Sequence, residues 1–340
     1  MGVLLLSAAE LETKRDSLSG MDEPSVQAGL ARQASLTKPA GSLGMLEQLA
    51  VQFCGWQKTA RPSADRAQTL VFAGNHGVVA QGVSAFPAEV TKQMVGNFAA
   101  GGAAINQLCK AIPSELCVIP LGLDTPTGDI TKGPAMSEEE ALAAFNEGAA
   151  AVSPDSHVIV VGEMGIGNTT IAAALCHGLF GGEAFHWVGG GTGVDQDGLK
   201  RKQEAVAKAV ALHGSPKEPI ALLAALGGRE LAAMAGAVAA ARIYSIPVLL
   251  DGYVVTAAAA TLTLSSRDWL SHCIAGHVSM EPGHGRLMAK LGLHPLLSLG
   301  MRLGEGSGAQ LALALVRAAL ATHNGMATFE EAMVAAKSAG

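Results

Sequence analysis

Residues 301–308 read MRLGEGSG, with one glutamate, Glu305, set among three glycines immediately ahead of an apolar run. Glycines at three of five positions let the backbone turn sharply and approach another group without Cβ interference. Residues 309–323, AQLALALVRAALATH, follow with helical spacing, and Ser307 stands where a hydroxyl caps a first turn. Glu305 therefore lies just before a helix N-terminus. The helix dipole there favours an ionised carboxylate, whereas an apolar pocket raises its pKa toward the range of a working proton acceptor. These eight residues leave both roles open: a general base, or an ordinary acidic residue at a helix start.

Four further segments carry groups that do chemistry. Residues 157–175, HVIVVGEMGIGNTTIAAAL, read as a strand, a glycine-rich turn and a helix opening at Asn168, Thr169 and Thr170. Backbone amides exposed at such a helix start form an anion site suited to a monophosphate, or the turn simply lets strand and helix pack. The lysine of GxxxxGK[ST] is absent, which argues against nucleoside triphosphate hydrolysis. Residues 187–206, WVGGGTGVDQDGLKRKQEAV, repeat the pattern, with Lys200, Arg201 and Lys202 in the early helix able to complete the charge balance around a phosphate. The glycines alternate and do not match GxGxxG. Residues 72–94 hold Asn75 and His76 after a strand, then Phe86 and Met94 as apolar surface for a flat ring. Residues 275–292 hold His277, Ser279, Glu281, His284 and Arg286 at spacings that match no metal-binding or nucleophile-elbow motif.

The elements that must position these groups are legible as texture. Short apolar runs at residues 69–74, 115–122, 157–162, 185–190 and 246–252 end in glycine or polar residues and alternate with helical segments such as 199–213 and 229–242. That pattern predicts an α/β fold with a parallel sheet covered on both faces, in which residues just beyond the strands (Asn75, His76, Asp124, Glu163, Gly190, Gly191 and Asp251) converge on one crevice. Residues 4–55 carry helical spacing and two or three helices.

Composition sets the outer limits. A chain of 340 residues predicts one large domain and a smaller one. A net charge of −6 offers no field for nucleic acid or anionic lipid, so any phosphate is bound locally. Five widely spaced cysteines without a CxxC pair read as buried free thiols. The N-terminus lacks a basic leader, and the most apolar stretch, 231–264, is interrupted by Arg242, Pro247 and Asp251; together these predict a cytoplasmic protein with no membrane span.

In order, KPAGSLG (38–44), FAGNHGV (72–78), GEMGIGNTT (162–170), GGGTG (189–193), GGRELAAMAGAV (227–238), PVLLDGY (247–253), HVSMEPGH (277–284) and MRLGEGSG (301–308) closely resemble the motifs of the nicotinate-nucleotide:dimethylbenzimidazole phosphoribosyltransferases. The resemblance implies transfer of phosphoribose from nicotinate mononucleotide to 5,6-dimethylbenzimidazole, without a cofactor or metal. It implies a Rossmann-like large domain, residues 56–300, and a small helical domain built from residues 1–55 and 301–340, assembled as a homodimer. It makes Glu305 the proposed general base. It brings Glu163, Gly165, Gly167, Asn168 and Thr169 toward the ribose phosphate, with Lys202 contacting the phosphate, Ser279 near the nicotinate, and Gly190 and Gly191 among the substrate-binding residues. Asp251 would line the same crevice. Phe86 and Met94 stand where some members have polar side chains, implying a base pocket that favours benzimidazoles over phenols.

Two other classes stay in view. A dinucleotide-binding oxidoreductase would need a GxGxxG turn and a ribose-binding acid, and neither is present. A non-catalytic binder of benzimidazoles or their nucleotides would keep the glycine turns but have no use for the carboxylate of GEGSG.

Overall fold

The computed structural model describes residues 9–191 and 193–335, so the apolar start on which the leader reading rests lies largely outside the described residues. Five parallel strands form one sheet: β1 (Ala67–Ala73), β2 (Glu115–Pro120), β3 (Val158–Met164), β4 (Val248–Leu250) and β5 (Cys273–Ala275), in the order β2-β1-β3-β4-β5. Because β2 and β3 lie on opposite sides of β1, the strand order reverses there. A crevice opens at such a switch point, beyond the carboxyl ends of the strands.

Side-chain alternation along the strands explains the two covered faces. Leu70, Phe72, Ile159, Val161, Val248 and Leu250 enter one core, whereas Val158, Val160 and Leu249 enter the other, packed with Phe53 and with Leu313, Val316 and Leu320. The larger core takes in the helices Arg229–Ile243, buried from Glu230 to Arg242, and Tyr253–Ala260, buried throughout, which account for most of the apolar 231–264 stretch. No helix among the described residues is long and apolar enough to cross a membrane. All five cysteines are free thiols, and Cys117 alone among them is only half-buried.

One expected strand is absent. The aromatic and β-branched content of residues 185–190 predicts a strand, but a 3-10 turn, Ala184–His186, stands there. The apolarity instead serves burial. Trp187 is buried against Phe180, and its indole N–H donates to Gly181 O at 2.9 Å. The fifth strand is β5, three residues long and too short to stand out in the sequence.

The chain ends meet. Arg32 donates to the carbonyls of His323, Asn324 and Met326, and Leu36 bridges Thr328 in antiparallel fashion. The helix Ser307–Gly325 also belongs to the sheet's second core, so it joins that end-to-end contact to the sheet. Its first turn is capped differently from expectation. Gly306 is the cap, in the left-handed region, and the Ser307 side chain makes no capping bond. The orphan amides are taken by Asp251, just past β4: Gly308 and Ala309 donate to Oδ1 at 2.9 Å and Gly306 to Oδ2 at 3.2 Å. Gly276 permits this docking, since a Cβ there would lie 2.7 Å from Ala309 Cα.

Asp251→Ala would leave three buried amides and His277 without their acceptor. It should lower unfolding free energy by about 3 kcal/mol, read as a shift of the urea midpoint; an unchanged midpoint would show that the cap is dispensable.

Candidate active site

A cavity of about 400 Å³ opens beyond the ends of β3, β4 and β5. Its walls come from the β3 turn, the helix Glu89–Ala99 with the loop before it, the segment after β5, and residues 302–305. Glu305 is in its wall and only 4% exposed. Residues 304, 305 and 306 all have positive φ, at 88°, 63° and 83°. A non-glycine residue in this region costs about 1 kcal/mol and persists where its surroundings fix it. Here Glu305 N–H donates to Glu163 O at 3.1 Å, and Gly306 is anchored by Asp251. Gly162 leaves the β3 backbone bare where residues 305 and 306 press against it, with no room for a Cβ.

The helix start that Glu305 faces is not its own. Its Oε2 accepts the Ile105 N–H at 3.2 Å, in the first turn of the helix Ala104–Ala111, because the amides of Ser307–Gly325 are already held by Asp251. Burial raises the Glu305 pKa, the amides of Ile105 and Ala104 pull it down, and the Asp251 charge raises it; the net direction is up. The pocket therefore prevails over the dipole.

Glu163 ends β3 beside it. Its Oε1 lies against the α-carbon of Gly304, and its Oε2 accepts a short hydrogen bond from the Asn168 amide. Burial pushes this carboxyl up to about 8 against the Asn168 bond, and the charges of Asp251, Glu230 and Glu305 add to the rise. At neutral pH Glu163 is thus chiefly a carboxylic acid with a hydrogen to donate, beside a second carboxyl that can accept one.

The cavity has two kinds of lining. Phe86, Val90, Met94, Met164, Ile166 and Leu303 supply apolar surface, and Met94 and Met164 pack in the same cluster as Ile105, the residue whose amide meets Glu305. Gly165, Asn168, Thr169 and Gly191 supply polar surface. Lys202 stands behind that part, 1% exposed. Its Nζ donates to Thr169 Oγ1 at 2.9 Å and Gly189 O at 3.0 Å, leaving one N–H. Burial pulls its pKa down to about 8, with Glu281 opposing the fall. Of the neighbouring cations, Lys200 is exposed beside Glu204 and Arg201 donates to Gly82 O, as one helical turn dictates.

Ser279 also lines the cavity, and its N–H donates to His284 Nδ1 at 3.0 Å. Burial lowers His284 to about 4, so the ring is neutral and its proton sits on Nε2, facing Thr256 Oγ1 at 3.1 Å.

Several expected residues stand outside the lining. Asp251 is 1% exposed and committed to the helix cap and to His277 Nε2 at 3.2 Å. Gly167 caps the helix Asn168–Phe180 with φ 91° and faces Val79, and Gly190 does not reach the cavity wall. His76 is fully buried against Glu230 at 2.6 Å, Asn75 donates to Leu123 O, and Asp124 pairs with Lys92 at the surface. Asp251, His76, Asn75 and Asp124 all stand just past strand ends, and the partners that claim the first three lie far along the chain. Conversely, His277, Glu281 and Arg302 line the cavity. The first two belong to HVSMEPGH, a family-like segment whose spacing assigns them no chemical role, and Arg302 lies within MRLGEGSG without a signal of its own.

A phosphoribosyltransferase family model matches residues 18–334. The nicotinate-nucleotide–dimethylbenzimidazole phosphoribosyltransferase of Ruegeria sp. (strain TM1040) is 59% identical over 89% of this chain and 90% of its own length. The enzyme of the same name from Novosphingobium aromaticivorans is 57% identical over 97% and 98%. The chain belongs to this phosphoribosyltransferase family. Among solved structures, the nicotinate-nucleotide–dimethylbenzimidazole phosphoribosyltransferase of Thermus thermophilus superposes with a TM-score of 0.86 at 40% identity, covering 93% of this chain and all of that one.

Proposed function

We propose that the protein transfers phosphoribose from nicotinate mononucleotide to 5,6-dimethylbenzimidazole, giving α-ribazole 5′-phosphate, the lower-ligand nucleotide of cobalamin, and nicotinate. The observation that carries this reading is the Glu305 carboxyl, raised in pKa and set in a cavity wall that offers apolar surface for a flat ring and a polar corner backed by Lys202.

The lone pair of one benzimidazole nitrogen forms the new bond to C1′ as the C1′–N bond of the pyridinium nucleotide breaks. The breaking bond's electron pair returns to the leaving ring, which needs no general acid. The hydrogen on the other benzimidazole nitrogen passes to Glu305, without which the product would stay cationic. Attack opposite the departing ring converts the β-linked nucleotide into the α-linked one. Lys202, Thr169 and the glycine turns hold the phosphate, Glu163 donates from its carboxylic acid to a ribose hydroxyl, and Ser279 lies by the nicotinate. These contacts supply positioning and charge complementarity.

We further take the helices from the two chain ends as the family's small domain and the working enzyme as a cytoplasmic homodimer. Support for assembly is the exposure of Phe86, Met280, Leu299 and Leu303, large apolar side chains of which Phe86 and Leu303 line the cavity.

Glu305→Gln should lower turnover about 10²–10⁴-fold while leaving substrate affinity within a few-fold, measured as α-ribazole phosphate formed from the two substrates. Full turnover in this variant would remove the base assignment, whereas binding of both ligands by the wild type with no product formed would favour the non-catalytic binder. In the wild type, Phe86 and Met94 should make dimethylbenzimidazole a better acceptor than a phenol at equal concentration. A preference for phenol would overturn that part.

A further inference from the structure

Residues 189–191 are gripped from two sides by opposite charges. Glu281, which precedes the helix Pro282–Leu291, accepts the Gly191 N–H through Oε1 at 2.8 Å. Its Oε2 is buried without a hydrogen-bond partner, against the α-carbon of Gly189, where no Cβ would fit. From the other side Lys202 holds the Gly189 carbonyl, and a Cβ on Gly191 would lie 2.8 Å from both Lys202 Nζ and Thr169 Oγ1. The bare glycine backbone is thus the spacer between a carboxylate and an ammonium, both withdrawn from bulk water.

A buried ammonium tends to lose its proton, and something must counter that tendency if it is to meet a phosphate. The helix Asn168–Phe180 faces Lys202 with the neutral Thr169, and the 189–191 loop presents backbone. The titratable group acting on the ammonium is Glu281, which opposes the effect of burial.

We propose that Glu281 is a positioning residue for the donor's phosphate: it closes the 189–191 loop over Lys202 and keeps that ammonium charged where the phosphate binds. This rests on the reading of Lys202 as the phosphate's partner. Charge and geometry separate cleanly, because glutamine can still accept the Gly191 amide but carries no charge, whereas aspartate keeps the charge on a shorter arm.

The test is KM for nicotinate mononucleotide against pH from 6 to 9 in wild type, Glu281→Gln, Glu281→Asp and Lys202→Ala, with KM for dimethylbenzimidazole as the internal control. In Glu281→Gln the alkaline rise of the donor KM should begin about one pH unit lower, making KM at pH 8 about fivefold higher while leaving it unchanged at pH 6. The acceptor KM should not move. Glu281→Asp should keep the wild-type pH profile even if its KM is uniformly raised. The donor's own phosphate titrates identically with every variant and cancels from the comparison. A Gln variant with the wild-type profile, or with the same rise at every pH, would reduce Glu281 to a loop tether and overturn the inference. If Glu281→Gln fails to fold, a Glu281→Asp profile moved to lower pH overturns it equally. Should Lys202→Ala leave the donor KM untouched, it is the phosphate reading beneath that fails.

Discussion

The Asp251 carboxylate is the fixed point of the site. It sits beyond β4 and takes the amides of Gly306, Gly308 and Ala309, so the first turn of Ser307–Gly325 is bolted to the carboxyl end of the sheet. Everything placed by that turn inherits the registration. Gly304, Glu305 and Gly306 run in left-handed conformations between this anchor and the Glu163 carbonyl, which leaves the Glu305 side chain one course, into the cavity wall and toward the Ile105 amide. Had the helix been capped by Ser307, as its sequence suggests, the Asp251 charge would stand free in the crevice, a poor neighbour for an incoming phosphate.

The electrostatics follow from this crowding. Burial raises both carboxyls, Glu163 up to about 8 and Glu305 in the same direction, and the charge of Asp251 adds to each rise. A carboxyl that is an acid at neutral pH and a neighbouring one that accepts a proton are two tools made from one residue type, distinguished by environment. Lys202 is the counterpart at the polar corner, drawn down by burial and opposed by Glu281.

Much of this is legible in the sequence, for identifiable reasons. Four strands, the covering helices and the glycine turns follow from runs and periods that are local. Glu305 is marked by its glycines, and Lys202 by a basic run from which helical geometry admits one side chain to the interior. What escapes depends on contacts distant along the chain. The segment at 185–190 has strand-like composition because it buries Trp187, and only tertiary packing distinguishes the two uses of the same residues. Asp251 resembles a ligand-binding acid at a strand end because the amides that claim it come some fifty residues later. Glu281 stands in a recognisable segment, but its role gives no signal, since the amide it holds belongs to a glycine about ninety residues earlier.

In the proposed reaction Glu305, its pKa lifted by burial, takes the acceptor's proton during transfer. The most direct test is the pH dependence of kcat with both substrates saturating. With Glu305 as the base, kcat should fall as pH drops through a single ionisation above the ordinary carboxylate range, because the base must be unprotonated to act, and this acid limb should disappear in Glu305→Gln. A kcat that stays flat through that range, or an acid limb that persists unchanged in the glutamine variant, would contradict it.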